Sequence, residues 1–579
     1  DLTPYHELPP PEVTAPVEGV RPLAASNEVI DKVVRRLPCG RARGTLMTNY
    51  ELIVATHADG AAEGWHGFFR AFAAGALACD LAALMRALRA VMLAKDDTGV
   101  NYRPLGIGEA ERRCGCAIVA TIKKAAWNKF YTSELPDVKE ERLAHAASCE
   151  EAVQLLKGAV VAAASQGEAA AEAARAALAA AEANAEAARA PPNFPVQLAF
   201  APNGAELAAH TLEGWCQLAP DDDIVSCDTR NMYNECRRAP SFEALREHDP
   251  ECVPVYSMLY AHEADIYLDR TRDGAVVQLT IDQVCARAAR LGVGGLEETE
   301  DPDAELERAF HGADDESSLP AIFTRVVRTA CEATVATLIT IALISTGGFH
   351  QGCALATNGS CIAYHVTLAR EVQPRYPHAR VLIYGDDTYG GDDGSRIYRW
   401  RDLKEEKCGR LGHVARHDKE CCYSTRGDLA HAPASLPGSP RHPDGRLQGF
   451  KGVGCFYGNA EWVRQQLTLK MRRLYAPLDN VDNMQDSGDI RNSAQIRFSL
   501  FDVCAAGLPN HWLRCQAPSL TATAVAPEWC GLHGVEPQPS MCAFVDARVA
   551  RSFESLTVAG ASPLPRRIRA LRQARLPQR

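Results

Sequence analysis

Apolar residues recur at helical spacing in several parts of the chain, and short β-prone runs lie between them. The longest pattern predicts helices across residues 64–94, and the pattern from Trp462 to Thr557 is also mainly helical. Runs rich in β-branched and aromatic residues predict strands at 223–227 and 380–384. This mixture of helices and strands favours an α+β fold.

Two segments differ from the rest in composition. Residues 159–190 consist largely of Ala, Glu and Arg, which predicts a solvated helix that ends at Pro191 and Pro192. A tolerated insertion explains it more simply than a dedicated partner-binding helix. Residues 296–316 carry ten acidic side chains and one Arg. Such a block repels itself, so we expect an exposed or disordered insertion.

The net charge of the chain is concentrated in the acidic segment and near the end of the sequence. The formal net charge of the 579 residues is −11, which by itself argues against a nucleic-acid-binding protein. The acidic segment 296–316 accounts for nine of these charges, and the remainder carries −2. The last fourteen residues contain six Arg and no acid. Such a basic tail suits contacts with phosphates, and a plain solvated terminus is the alternative.

The sequence also bears on the compartment. No apolar run approaches the ~18–20 residues of a membrane span, and the first residues do not have the pattern of a secretory leader. The 21 Cys are an odd number and are scattered along the chain. We therefore expect no membrane partner, reduced thiols and an intracellular location, in the nucleus or the cytoplasm.

The strongest local signal is the run 379–391, ARVLIYGDDTYGG. A β-prone stretch ends at Tyr384, Gly385 permits a tight turn, and a returning strand follows, which predicts a hairpin. Asp386 and Asp387 would then lie at its tip, where neighbouring carboxylates repel unless a cation neutralises them. Hard oxygen ligands of this kind suit Mg²⁺, and an ordinary Asp-rich turn is the alternative.

A further carboxylate follows the predicted strand at 223–227. Asp228 comes directly after that strand, and Tyr233 lies five residues further along. Together with Asp386 and Asp387, these residues resemble motifs A and C of the reverse transcriptases of non-LTR retrotransposons and group II introns. The resemblance implies a right-hand polymerase with fingers, a palm of antiparallel sheet plus helices, and a helical thumb.

The resemblance extends to basic residues on both sides of these motifs. Lys95 and Arg103 match the fingers segment, which implies that they bind the triphosphate of the incoming dNTP. Lys419 matches the lysine of motif D, which implies a proton donor for the leaving pyrophosphate.

Motifs B and E occur in the family's order as well. Gln351 and Gly352 open a segment similar to QG-x-PL, in which Ala354 replaces the usual Pro. The resemblance implies that this segment contacts the template or the nucleotide. Residues 450–458, around Gly454, are similar to the primer grip.

The resemblance implies a two-metal reaction in which a primer 3′-hydroxyl attacks a dNTP. Two Mg²⁺ ions, or Mn²⁺, would be held by Asp228, Asp386 and Asp387, with the backbone carbonyl of Thr229 completing one shell. The implied partners are an RNA template, a DNA primer and dNTPs.

Tyr233 distinguishes between classes of polymerase. Viral RNA-dependent RNA polymerases carry an acid at this offset, whereas a bulky ring there would clash with a ribose 2′-hydroxyl. We therefore favour deoxynucleotides. Two alternatives stay open: a viral-type RNA polymerase, which Gly385 favours, and a decayed or domesticated protein that binds nucleic acid without catalysis, which Ala354 favours.

The resemblance also implies a division into domains. It predicts an N-terminal extension at 1–36, fingers at 37–205 with the helical insertion 159–190, a palm at 206–460 with the acidic insertion 296–316, a thumb at 461–563 and a basic tail at 564–579.

Cysteine and histidine are frequent near the C-terminus. The candidates are Cys504, Cys515, Cys530, His533 and Cys542. Because their spacing lacks a C-x-x-C pair, we expect ordinary thiols here rather than a zinc site.

Overall fold

A computed structural model describes most of the chain. The described residues are 8–38, 49–94, 102–165, 167–189, 193–262, 264–268, 342–345, 347–350, 352–426, 429–434, 436, 447–483, 510–516, 520, 530 and 535–557. The acidic segment 296–316 and the basic tail 564–579 lie outside them.

Helices make up most of the regular structure. They are α1 (Pro11–Thr14), α2 (Asn27–Val34), α3 (Tyr50–Thr56), α4 (Ala62–Ala73), α5 (Cys79–Arg86), α6 (Ala110–Tyr131), α7 (Pro136–Ala163), α8 (Glu168–Arg189), α9 (Gly204–Leu218), α10 (Met232–Glu235), α11 (Arg238–His248), α12 (Val253–Tyr260), α13 (Ala356–Thr367), α14 (Gly394–Gly409), α15 (Ala460–Asn483), α16 (Asn510–Cys515) and α17 (Met541–Thr557).

Strands lie between these helices. They are β1 (Leu88–Ala94), β2 (Tyr102–Gly108), β3 (Val196–Gln197), β4 (Asp223–Asp228), β5 (Ala264–Leu268), β6 (Ala342–Ser345), β7 (Arg380–Tyr384), β8 (Asp387–Asp392), β9 (Cys421–Ser424), β10 (Gly449–Gly452) and β11 (Cys455–Gly458). The fold is therefore α+β, as the pattern of the sequence predicts.

The chain divides into two compact units, each built from separate segments. The first consists of Asp1–Pro195, Thr229–Pro377 and Asp402–Ala415, and the second of Val196–Asp228, His378–Arg401 and Arg416–Arg579. The contiguous domain limits given above stay predictions.

The first unit contains a four-stranded mixed sheet in the order β2-β1-β5-β6. Strand β1 pairs antiparallel with β2 and parallel with β5. The predicted helix over 64–94 is correct for α4 and α5 but wrong for residues 88–94. Leu, Met, Ala and Arg favour a helix there, and pairing with two neighbouring strands overrides that preference.

The Ala-rich segment forms parts of two helices rather than one. Helix α7 ends at Ala163, and α8 begins at Glu168 after Gly167, which has a φ of +119°. Glycine adopts this backbone conformation without strain, so the helix breaks here. Helix α8 ends at Arg189, shortly before the two prolines.

The second unit is built around a five-stranded sheet in the order β3-β7-β8-β4-β9. All pairs are antiparallel except β3 with β7, which is parallel. A separate hairpin, β10–β11, packs with helices α9, α15 and α17 in one apolar core. Large side chains in this core include Leu212, Tyr389, Phe456, Leu467 and Phe544.

Among the described residues, no helix is both long and apolar enough to cross a membrane.

Candidate functional site

The candidate site lies in the second unit, at one end of strands β4 and β8. Ile224, Val225 and Cys227 are buried on β4, which lies between β8 and β9 in the sheet. Asp228 ends this strand and pairs directly with Asp387, the first residue of β8. Residues that face each other across an antiparallel pair project from the same side of the sheet. The register therefore places both carboxylates on one face.

The turn between β7 and β8 places the third carboxylate next to this pair. Because Tyr384 pairs with Asp387, the turn has Gly385 and Asp386 as its two central residues. Gly385 has a φ of +65°, and a glycine with positive φ at the first central position is typical of a type II′ turn. The predicted hairpin is confirmed, although Asp387 already belongs to the returning strand.

A buried glutamine on β3 holds this turn. The Oε1 atom of Gln197 accepts a hydrogen bond from the Gly385 amide at 3.1 Å, and its Nε2 donates to the Gly385 carbonyl at 3.3 Å. Oε1 also accepts from the Ala199 amide at 3.0 Å. Both polar groups of the Gly385 peptide are thereby satisfied by one side chain.

The three carboxylates repel one another. Burial, followed by the negative charges of Asp386 and Asp228, raises the pKa of Asp387 to about 6. Lys419 and Lys451 act in the opposite direction. A cation that is bound by all three carboxylates would stabilise this cluster most.

Lys419 is the cation in direct contact with one of these carboxylates. Its Nζ lies 2.9 Å from Oδ2 of Asp228, and its side chain is 50% exposed. The backbone supports this placement, since the Arg416 amide donates to the Asp228 carbonyl at 2.9 Å and the Lys419 amide donates to the Arg416 carbonyl at 2.9 Å.

Of the residues predicted for the site, Asp228, Asp386, Asp387 and Lys419 lie together. Thr229 follows Asp228, is buried, and forms a backbone bridge with Ala415. A role of its carbonyl in metal binding stays a prediction.

The remaining predicted residues belong to the first unit or are not described. Lys95 and Gln351 lie outside the described residues, as does the side chain of Arg103 on β2. The Tyr233 carbonyl accepts a hydrogen bond from the Phe349 amide, just before motif B. Gly352 is exposed with a φ of +103°, a conformation that favours glycine.

Within the first unit, buried arginines contact the residues just before motif B. Arg238 donates to the carbonyls of Gly347 at 3.1 Å and Gly348 at 2.8 Å. The Nη2 atom of Arg112 lies 3.1 Å from Nδ1 of His350. Sequence reasoning did not identify these residues, because a single Arg in a helix usually faces solvent.

Sequence reasoning also missed Gln197 and Lys451. Nothing in the pattern around Gln197 distinguishes it from other polar residues. Lys451 lies within residues 450–458, so the resemblance to the primer grip marks its segment without marking the residue.

No protein-family model matches the chain, and no curated protein sequence matches it. Solved structures with partial similarity include telomerases of two Candida species. The apo telomerase of Candida tropicalis is 10% identical with a TM-score of 0.28, and the match covers 82% of this chain and 58% of that one. A form without its C-terminal domain is 8% identical with a TM-score of 0.26, covering 58% and 49%.

The telomerase of Candida albicans, in complex with a fragment of telomeric RNA, is 9% identical with a TM-score of 0.25. That match covers 81% of this chain and 60% of the telomerase. The chain thus spans about half to three fifths of these structures. Similarity at this level supports no inference about activity, so the candidate site rests on its own geometry.

Proposed function

We propose that the protein is an RNA-directed DNA polymerase of a retroelement, which adds dNTPs to a primer 3′-hydroxyl on an RNA template. One observation carries the proposal: Asp228 faces Asp387 across adjacent strands, with Asp386 in the neighbouring turn. Lys419 lies against the same cluster. Phosphoryl transfer by two metal ions needs such a set of carboxylates at one point.

The donor set fits Mg²⁺. Three carboxylates supply hard oxygen ligands. The raised pKa of Asp387 reflects burial first and then the negative charges of Asp386 and Asp228, which a divalent cation would neutralise. Asp228, Asp386 and Asp387 would hold the ions, with Thr229 contributing its carbonyl. Bound Mg²⁺ would favour ionisation of the attacking hydroxyl and offset charge on the phosphate oxygens.

The other residues take roles at the nucleotide. Lys419 donates a proton to the departing pyrophosphate. Lys95 and Arg103 bind the triphosphate, Arg through paired hydrogen bonds and Lys as a point charge. Gln351 and Gly352 contact the template or the nucleotide, where a glycine allows close approach.

The proposal is tested by primer extension. The full chain is assayed on poly(rA)/oligo(dT) with dTTP and Mg²⁺, beside Asp386→Ala and Asp387→Ala. We expect the wild type to extend the primer and each variant to lose roughly 10³-fold or more, because metal ligands supply several kcal/mol in the transition state. The control is Asp221→Ala, since Asp221 is exposed beyond the opposite end of β4.

Tyr233 tests the choice of nucleotide. Tyr233→Ala is expected to admit ribonucleotides, whereas Tyr233→Phe keeps the ring and the preference for dNTPs. A wild-type protein that incorporates rNTPs as readily as dNTPs would instead indicate an RNA polymerase.

A departure from the motif B pattern favours a second candidate function. Ala354 stands where the family has Pro, which favours a decayed or domesticated protein that binds nucleic acid without catalysis. Folded wild-type protein that binds RNA but incorporates no dTTP would support this function over the polymerase.

A further inference from the structure

The turn of the β10–β11 hairpin has an unusual backbone. Gly452 pairs with Cys455, so Val453 and Gly454 form a two-residue turn. Their φ values are +46° and +76°, the signs that a type I′ turn requires. A β-branched residue rarely adopts positive φ, so the surroundings must hold Val453 in place.

Two side chains of the second unit hold the Val453 peptide groups. The Val453 amide donates to the hydroxyl of Tyr389 at 2.9 Å. The Val453 carbonyl lies 2.8 Å from Nε2 of His511 on α16. Since a carbonyl can only accept, the proton of this bond is on Nε2 of the imidazole.

With this hydrogen bond in place, the other ring nitrogen of His511 faces the sulfur atom of Cys515. In the neutral ring, Nδ1 then carries a lone pair, and it lies 3.5 Å from Sγ of Cys515. Metal-binding histidines commonly donate their second N–H to a carbonyl in this way, which fixes the tautomer and the ring orientation. The hydrogen bond to Val453 therefore orients His511 as a ligand.

A third ligand comes from the hairpin itself. Cys455 begins β11, and its Sγ lies 3.9 Å from Nε2 of His511. One atom from each of Cys455, His511 and Cys515 can be chosen so that all three lie within 4.8 Å of one another. His511 and Cys515 are four residues apart on one helix and so share a face.

The distance between Cys515 and His511 suits a tetrahedral ion. Zn–S bonds of about 2.3 Å and Zn–N bonds of about 2.0–2.1 Å place sulfur and nitrogen roughly 3.6 Å apart. The 3.5 Å between Cys515 Sγ and His511 Nδ1 agrees with this value.

We propose that Cys455, His511 and Cys515 form a zinc site that fixes the β10–β11 hairpin to helix α16. Two thiolates and an imidazole are ligands that zinc prefers, and a water molecule completes the tetrahedron. The proposal does not depend on the polymerase activity.

Burial and charge act on these thiols in opposite directions. Both thiols are buried, which raises the pKa of Cys455 to about 12 and raises that of Cys515. Lys470, which donates to the Gly454 carbonyl, favours the thiolate of Cys455. Without metal the thiols are protonated at neutral pH, so zinc binding releases their protons.

Hydrogen bonds of Gln516 also connect the end of helix α16 to strand β11. Gln516, next to Cys515, accepts a hydrogen bond from the Phe456 amide at 3.1 Å and donates to the Phe456 carbonyl at 2.6 Å. The end of α16 is thereby placed against β11, the strand that carries Cys455.

The test measures metal in the full chain. Protein expressed with added zinc is dialysed and analysed by elemental mass spectrometry. We expect about one tightly bound zinc ion per chain, and its loss in Cys455→Ser and Cys515→Ser. Cys542→Ser is the matched control, because Cys542 on α17 lies outside the cluster. Binding to the metal-free protein at pH 7 should release about two protons, one for each thiol.

Cobalt gives a readout that does not depend on the variants folding. Co²⁺ added to the metal-free wild type should produce a thiolate-to-cobalt absorption band in the near ultraviolet. Absence of zinc together with absence of this band in folded protein would overturn the proposal. So would full zinc content in folded Cys455→Ser and Cys515→Ser, because the metal would then be held elsewhere.

Discussion

The carboxylate of Asp387 serves the proposed activity but lowers the stability of the metal-free protein. Burial, together with the negative charges of Asp386 and Asp228, raises its pKa to about 6, well above the value of 3.8 for an unperturbed Asp. Between these values the folded protein holds a proton that the unfolded chain releases. This group therefore lowers the free energy of unfolding as pH rises from about 4 to about 6.

Asp387→Asn should remove that cost. Without Mg²⁺ at pH 7, we expect the variant to be more stable than the wild type by about 1–3 kcal/mol, since a tenfold change in proton affinity is worth roughly 1.4 kcal/mol. The difference should grow from pH 4 to pH 6 and then level off. Urea unfolding with a chelator present measures it, with Asp221→Asn as the control. A variant less stable than the wild type at pH 7 would contradict the repulsion.

Variants of Lys419 distinguish a role in proton transfer from a purely electrostatic role. Its ion pair with Asp228 involves a half-exposed side chain, so Lys419→Ala should change the free energy of unfolding by less than about 1 kcal/mol. Loss of a proton donor should instead slow single-nucleotide incorporation by roughly 10²–10⁴-fold.

Lys419→Arg decides between the two roles. Arginine retains the positive charge beside Asp228 but does not give up a proton, because its pKa lies above about 12. We expect this variant to be about as slow as Lys419→Ala in rapid-quench measurements. Wild-type rates in Lys419→Arg would show that the residue acts only through its charge.

At the scale of elements, the β7–β8 hairpin depends on a strand far away in sequence. Gln197 of β3 is 188 residues from Gly385, whose peptide it holds. Gln197→Leu keeps the size of the side chain but leaves buried amide and carbonyl groups without this partner. We expect the free energy of unfolding to fall by about 1–3 kcal/mol.

The same variant should weaken metal binding, because the turn that positions Asp386 loses its support. Titration calorimetry with Mg²⁺ measures this effect, and urea unfolding measures the stability. Gln217→Leu is the control, since Gln217 is exposed on α9 and pairs with Glu213 at the surface. Equal effects from both substitutions would show that Gln197 has no special role in the turn.

Local sequence accounts for part of the fold and most of the carboxylate cluster. The β-prone run before Gly385 and the short strand before Asp228 were sufficient to predict β7 and β4, which flank the central strand β8, because both patterns are local. Strand β1 was predicted as a helix, since its composition favours one and one of its two partners, β5, lies far along the chain. Gln197, Cys455 and His511 were missed for the same reason, and Cys515 was considered as a zinc ligand but set aside. His511 and Cys515 form a candidate metal site only in the folded chain, where Cys455 lies beside them.

At the scale of the whole molecule, charge is the property that the sequence determines most completely. The total of −11 becomes −2 when residues 296–316 are left out. An acidic segment on a protein that binds nucleic acid repels the phosphate backbone over roughly one Debye length. Its effect on binding should therefore depend on ionic strength.

Deletion of residues 296–316 should strengthen binding to single-stranded RNA. We expect a gain of about tenfold at ~0.01 M salt, where the Debye length is about 30 Å, and no gain near 1 M, where it is about 3 Å. Fluorescence anisotropy across a salt series measures the affinity. A variant of unchanged length, with the ten acids replaced by Asn or Gln, separates charge from chain length. If only the deletion strengthens binding, the segment acts by occupying space rather than by repulsion, because the neutral variant retains its volume and loses its field.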